Sequence, residues 1–323
     1  MKFSKVRILF SVLIILVAAF LPFVLSDYWI YVLTIAFFYT IMASSWNLLA
    51  GYTGQFSLGH HTFAMIGAYT STLLMVKLGM PFKVGIPSGI VMALVISFAL
   101  GIICLRVRGI YLALITWAFA EVVKNYIRLH FSFTGGDRGL TTPLLFHTLK
   151  PTPYYYLFLG LAIFSITLIA VIMHSKIGYY LRAIRGDDIA ARSMGVNIVR
   201  YKIFAFVVAS GMAGMAGVFY GHSIGLISPM MGDFNEMAMI IIFVVIGGMR
   251  TLTGPVTGAI TVRILMELLR KYSEIRIVIL SAIVIIIMRF FSGGLAEFFR
   301  LINQRIKGRE SGTVSASQGS KAG

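Results

Sequence analysis

The feature that most constrains this chain is the run from Tyr28 to Val76, which contains no Asp, Glu, Lys or Arg. Ile8–Ser26, Val84–Leu105, Pro151–Ser175 and Ile203–Gly232 are charge-free as well. A helix that crosses a bilayer needs about 20 mostly apolar residues, and each run is near or beyond that length. Hydrocarbon offers backbone N–H and C=O groups no outside partner, so these runs are expected to be helices. Hydrophobic residues make up 59% of the 323 and charged residues only 12%, against about 25% charged in an ordinary soluble domain. That balance excludes a disordered chain, a secreted disulfide scaffold and a typical cytosolic enzyme. The single cysteine, Cys104, leaves no intrachain disulfide and no cysteine-based metal site in a monomer.

The expected fold is all-α: a polytopic membrane bundle of 8 to 10 spans. Ten are drawn here, at 8–25, 28–50, 57–77, 84–104, 109–130, 154–173, 202–222, 236–249, 255–271 and 276–291. The eighth and ninth are short and broken by Gly247, Gly248, Gly254 and Pro255, and read either as full spans or as re-entrant pieces. The membrane-spanning region is drawn as 1–300, with a Gly- and Ser-rich tail at 301–323 expected to be disordered.

Net charge is +17. The cations gather between apolar runs, which points to loops on an anionic leaflet and not to nucleic acid. Lys2, Lys5 and Arg7 place the N-terminus in the cytoplasm. Ten spans then put Arg106, Arg108, the basic loop 175–202 and the C-terminal cations Arg300, Arg305, Lys307 and Arg309 on the same side. Arg270, Lys271 and Arg276 fit poorly, since this count leaves them outside. A cleaved signal peptide is the weaker reading of the N-terminus, because the apolar core is long and no A-x-A site follows.

No phosphate-cradling G-x-x-x-x-G-K-[ST] is present, nor H-E-x-x-H or G-x-S-x-G. The chain is therefore read as a non-enzyme without cofactor or metal. The adjacent His60 and His61 would point about 100° apart on a helix and make a poor chelate. Glu121 and Lys124 stand at i, i+3 and are expected to pair.

Two segments carry most of the information. Ser175–Ile203 is too polar for hydrocarbon but suits helices: a piece at Tyr179–Arg185, a break at Gly186, and a second helix capped by Asp187 or Asp188. Ile189, Ala190, Ala191 and Met194 would form an apolar stripe on it, and Gly195 would end it in the left-handed conformation. Such a helix–Gly–helix suits a protein groove better than a lipid surface. The other segment, Gly51–Thr70, interrupts an apolar run with Gly51, Gly54 and Gly59. Gln55, Ser57 and His60 offer uncharged hydrogen-bonding groups there and are the translocation-pathway candidates. Gly247–Thr261 is a weak counterpart in the second half, a pairing that marks transport pathways between repeats. Close packing by small residues explains the same glycines. Ser210–Gly217 is read as packing alone.

The wording of these segments resembles a known family. GYTGQFSLGHHTFAMIGAYT, RGIYLALITWAFAE, TGGDRGLT, LRAIRGDDIAARSMGVNIVRYKIFAFVVASGMAGMAG and VIGGMRTLTGPVTGA are similar, in order, to signature segments of branched-chain amino acid ABC permeases. The A-I-R-x-x-[DE] form resembles the LivM-type subunit more than its LivH-type partner. Trp117 departs from the pattern, and so does the turn at Arg250. The resemblance implies an inner-membrane importer subunit, driven by separate ATPases, that carries leucine, isoleucine or valine; relatives carry urea or short amides. It also implies four kinds of partner: a LivH-type permease, two cytosolic ABC ATPases, a periplasmic or lipid-anchored binding protein, and the bilayer itself. Carried over by position, Ala183, Arg185, Asp187, Asp188, Ala191 and Gly195 would contact the ATPase. An ion-coupled secondary carrier is the reading from a different class.

Overall fold

The computed structural model describes residues 5–104, 107, 109–272 and the single positions 278, 279, 282 and 285, with side chains from residue 12 onward. The tail 301–323, nearly all of the predicted tenth span, and Arg106, Arg108, Arg276, Arg300, Arg305, Lys307 and Arg309 lie outside the described residues.

The regular structure is helical throughout, apart from one ladder of two-residue strands. In chain order the helices are α1 (Lys5–Phe20), α2 (Asp27–Trp46), α3 (His60–Leu78), α4 (Phe82–Cys104), α5 (Ile110–Leu129), α6 (Phe131–Thr134), α7 (Pro151–His174), α8 (Lys176–Gly186), α9 (Asp188–Ser193), α10 (Ile198–Ile224), α11 (Phe234–Gly247) and α12 (Gly254–Leu268). Every predicted span up to residue 271 contains one of them. Among the described residues, five helical stretches are both long and apolar enough to cross a membrane: α4, α5, α7, α10, and α2 with its π-helical extension to Thr53.

Beyond its first turn or so, where Asp27, Tyr28 and Tyr31 are exposed, helix α2 is apolar on every side and surrounded by protein. It packs between α7, α10 and α12. Helix α10 is the other central element, seated on α3 and α4. Here small residues bring backbones into contact: a Cβ on Gly217 would lie 2.0 Å from the Ala64 carbonyl oxygen, and one on Gly67 would lie 2.6 Å from that of Gly214. Ser210–Gly217 is therefore packing, as its spacing predicts. Helices α4, α5 and α7 turn apolar faces outward, with Val91, Val95, Phe98, Ile102, Leu114, Val122, Phe164 and Val171 exposed. These faces suit lipid.

Helices α11 and α12 have 14 and 15 residues, or about 21–23 Å at ~1.5 Å per residue. That is short of a ~30 Å hydrocarbon core. They form a tight hairpin in which a Cβ on Gly258 would meet the Phe243 carbonyl oxygen at 1.9 Å. At the end of the bundle away from α8 and α9, β1 (Leu140–Thr141) pairs antiparallel with β2 (Leu226–Ile227). This ladder ties the TGGDRGLT loop to the segment after α10.

Candidate functional site

The basic loop 175–202 folds into α8, α9 and the first turn of α10. Ser175 caps α8, its Oγ accepting from the Ile177 N–H at 3.2 Å. Of the two candidate caps for α9 it is Asp187 that serves, its Oδ1 accepting from Ile189 N–H at 2.7 Å and Ala190 N–H at 3.1 Å. Asp188 instead meets Lys202 Nζ at 2.6 Å. Gly195 has φ +80° and ends α9 in the left-handed region. Val196 N–H reaches the Ala191 carbonyl and Gly195 N–H that of Arg192, a Schellman closure.

The expected apolar stripe of α9 is divided between two faces, and this corrects the sequence reading. Ala191 is buried against Ile184 and Ile198, whereas Ile189 and Met194 are 71% and 84% exposed. A helix of six residues has too few turns to keep all four on one side. The outcome is a knuckle fixed by Ala191 that presents two bare apolar side chains among Arg182, Arg192 and Arg200. Ala183 and Asp187 are exposed beside them, and Arg185 and Asp188 are half-buried.

Arg185 joins this knuckle to the membrane helices. Its Nη1 donates to the Ala50 carbonyl at 2.7 Å, inside the π-helical stretch Asn47–Thr53 that ends α2. Burial, and then the charge of Arg250, push the guanidinium pKa below its ordinary value. The same π-stretch grips the α11–α12 turn. Asn47 Nδ2 donates to the Thr251 carbonyl at 3.0 Å and Asn47 Oδ1 accepts from Arg250 N–H at 3.0 Å. Arg250 sits there at φ +68°, which is rare for a side-chain-bearing residue. The two glycine-broken segments picked out in the sequence thus touch one another, and Arg185 ties the knuckle to both.

Between the π-stretch and α3 the chain is unwound but not loose. Trp46 Nε1 donates to the Ser57 carbonyl at 2.8 Å, and Leu58 N–H donates to Thr116 Oγ1 at 2.9 Å. These contacts answer the backbone groups that the missing helix turns leave open. The three pathway candidates part company here. Gln55 donates to the Lys202 carbonyl at 3.1 Å and lines a cavity of about 200 Å³ with Arg185, Asp187 and Asp188. Ser57 and His60 are fully buried in packing, with His60 Nε2 2.8 Å from Ser45 Oγ.

A second cavity, of about 230 Å³, lies between α2, α3, α10 and α11, and the sequence did not point to it. Phe38, Tyr39, Met42, His61, Tyr220 and Glu236 are among its walls. His61 Nε2 donates to the Gly232 carbonyl at 2.9 Å. Beside it the expected Glu121–Lys124 pair is present at 2.8 Å and gains a third member, Asp233, 3.3 Å from Lys124 Nζ. Lys124 is 7% exposed, so it is a buried cation balanced by two carboxylates. Arg263 on α12 lies near Glu236, Tyr39 and Tyr220 and meets Glu267 at 3.7 Å. Glu236 reads in sequence as an ordinary polar residue at a span end. What places it deep is the starting point of α11, which a linear reading does not contain.

Among known proteins, the family model described as "Branched-chain amino acid transport system / permease component" matches residues 28–291. The high-affinity branched-chain amino acid transport system permease protein LivM of Escherichia coli K12 is 30% identical over 90% of this chain and 75% of its own length. The LivM protein of Salmonella typhimurium is 28% identical with the same coverage. The LivH protein of Escherichia coli K12 is 26% identical over 80% of this chain and 90% of its own. No solved structure matches the chain significantly. With the matching model covering most of the helical bundle, the chain belongs to the branched-chain amino acid transport system permease family, on the LivM side.

Proposed function

We propose that this chain carries leucine, isoleucine and valine inward across a bacterial inner membrane, as one of two permease subunits in an ATP-driven importer. Residues 1–300 form its permease domain. A LivH-type permease stands beside it, two ABC ATPases dock below, and a binding protein delivers substrate from outside. Both termini are cytoplasmic.

The observation that carries this reading is the knuckle. Ile189 and Met194 stand bare in a loop rich in arginine and lysine. A protein groove is the natural cover for such a patch. Ala183, Arg185, Asp187, Asp188, Ala191 and Gly195 shape the patch or fasten it. A docked helix drives transport only if its contacts differ between nucleotide states. Arg185 transmits that difference to the π-stretch through Ala50, and Asn47 passes it to the α11–α12 turn. Gln55, which reaches the carbonyl of Lys202, lies on the same route, with Ser57 and His60 in the packing behind it.

The test is reconstitution of the full assembly in proteoliposomes. ATP-driven uptake of labelled leucine, uncompeted by excess urea, is expected. Ile189→Asp removes the apolar contact at an exposed position. It is expected to leave insertion and thermal stability unchanged while the ATPases no longer co-purify. Retained co-purification and uptake would remove the knuckle from the mechanism. Uptake driven by a proton or Na⁺ gradient without ATP would favour a secondary carrier.

A further inference from the structure

Glu236 is a carboxylate without a salt bridge: Arg263 lies near it but meets Glu267 instead, at 3.7 Å. Glu236 Oε2 accepts from Tyr39 Oη at 2.7 Å, and among the described residues it makes no ion pair. Its position makes this costly. Tyr39 is twelve residues into α2, so Glu236 lies about 18 Å along that helix at ~1.5 Å per residue, roughly midway through a stretch that runs on to Thr53. A charge at such depth is expensive unless it is paired, and an ionisable group there marks a pathway by default.

The group opens into the 230 Å³ cavity, which is below the roughly 300–1,000 Å³ of drug-sized pockets and fits a single amino acid. An ammonium group brings three N–H donors and no acceptor. The cavity offers acceptors to match: the Glu236 carboxylate and the Tyr39 oxygen. His61 stands on the same wall, its Nε2 proton committed to the Gly232 carbonyl. The remaining wall is apolar, with Phe38, Met42 and Ile240.

We propose that this cavity is the membrane substrate site, with Glu236 and Tyr39 holding the ammonium of an α-amino acid and Phe38, Met42 and Ile240 receiving its branched side chain. The proposal rests on the transport reading above and adds to it the chemistry that recognises the substrate.

The test uses the full assembly in nanodiscs, with the background variant Cys104→Ser and a reporter thiol at Met230→Cys, an exposed position on the wall of the same cavity. Maleimide modification is read by mass spectrometry of this chain. Leucine is expected to slow it at least fivefold. 4-Methylpentanoate, which has the same carbon chain but no ammonium, is expected not to. Adding Glu236→Gln should abolish the protection. Equal protection by both compounds, no protection by leucine, or protection that survives Glu236→Gln would overturn the proposal. In proteoliposomes Glu236→Gln is expected to lower leucine uptake at least tenfold while binding-protein-stimulated ATP hydrolysis continues. Uptake within twofold of the parent would overturn the site. If Glu236→Gln fails to assemble, Tyr39→Phe takes its place, with a three- to fivefold rise in leucine KM expected and an unchanged KM counting against the site. The protection assay needs no ATP. Protection without any ATP-driven uptake by the parent assembly would therefore keep the site and remove the importer reading.

Discussion

Two glycine-rich regions of this molecule use the same residue for opposite ends. In the block of α3, α4 and α10, glycines such as Gly67 and Gly217 sit inside continuous helices and let backbones touch. At 47–59 and 247–254 glycines stand where helices stop, and side chains take over the hydrogen bonding. The composition of the two regions hardly differs. What differs is the company: Trp46 and Asn47 donate to, and Thr116 accepts from, an opened backbone in the second region, and no such residues are needed in the first. A broken membrane segment is therefore recognised by the polar side chains placed to repair it more than by its glycines.

The comparison is broken most directly by filling a close approach. Gly217→Leu drives a side chain into the Ala64 backbone, and overpacking of this kind costs about 3 kcal/mol. Loss of the monodisperse peak in detergent is the expected result, and a normal unfolding midpoint would show that α3 and α10 are not backbone-packed. Next in size is Asn47→Leu, which strands the Thr251 carbonyl and the Arg250 N–H. Two part-buried orphans at roughly 1 kcal/mol each should lower stability and also slow ATP-driven transport more than stability alone explains. That comes from the π-stretch being a link, whereas Gly217 is only a contact. The two functional variants follow: Glu236→Gln should spare stability and cut uptake, and Ile189→Asp should spare stability and lose the ATPases. The smallest effect belongs to Gly186→Ala. A Cβ there meets nothing within 4 Å, so a change within about ±0.5 kcal/mol is expected in the unfolding midpoint. A large loss would mean that the knuckle needs that glycine as a hinge.

Much of this was legible in the residues. The charge-free runs located α2, α4, α7 and α10 within a few positions, because a chain in hydrocarbon has no alternative to internal hydrogen bonding. Gly195 was readable as a left-handed helix end, because few other residues tolerate that backbone. The Glu121–Lys124 pair was equally local, and so was the helix break, which falls at Asp187, one residue after the expected Gly186. The division of α9 into two faces was less so, since which side of a short helix is buried depends on what lies beneath it. His60 and His61 were indistinguishable on paper. One packs against Ser45 and the other lines a cavity, because adjacent helical positions face different neighbours.

Sequence by itself determined that this chain lives in lipid, that it is helical, and that its longest polar loop is a structured element, since solvent and backbone chemistry act residue by residue. Tertiary structure alone decided where α11 begins, and hence that Glu236 meets Tyr39 on the wall of a cavity midway along α2, with no salt bridge among the described residues. Depth in a bundle is set by how helices stack against each other, and no property of a residue's own neighbours in the chain records it.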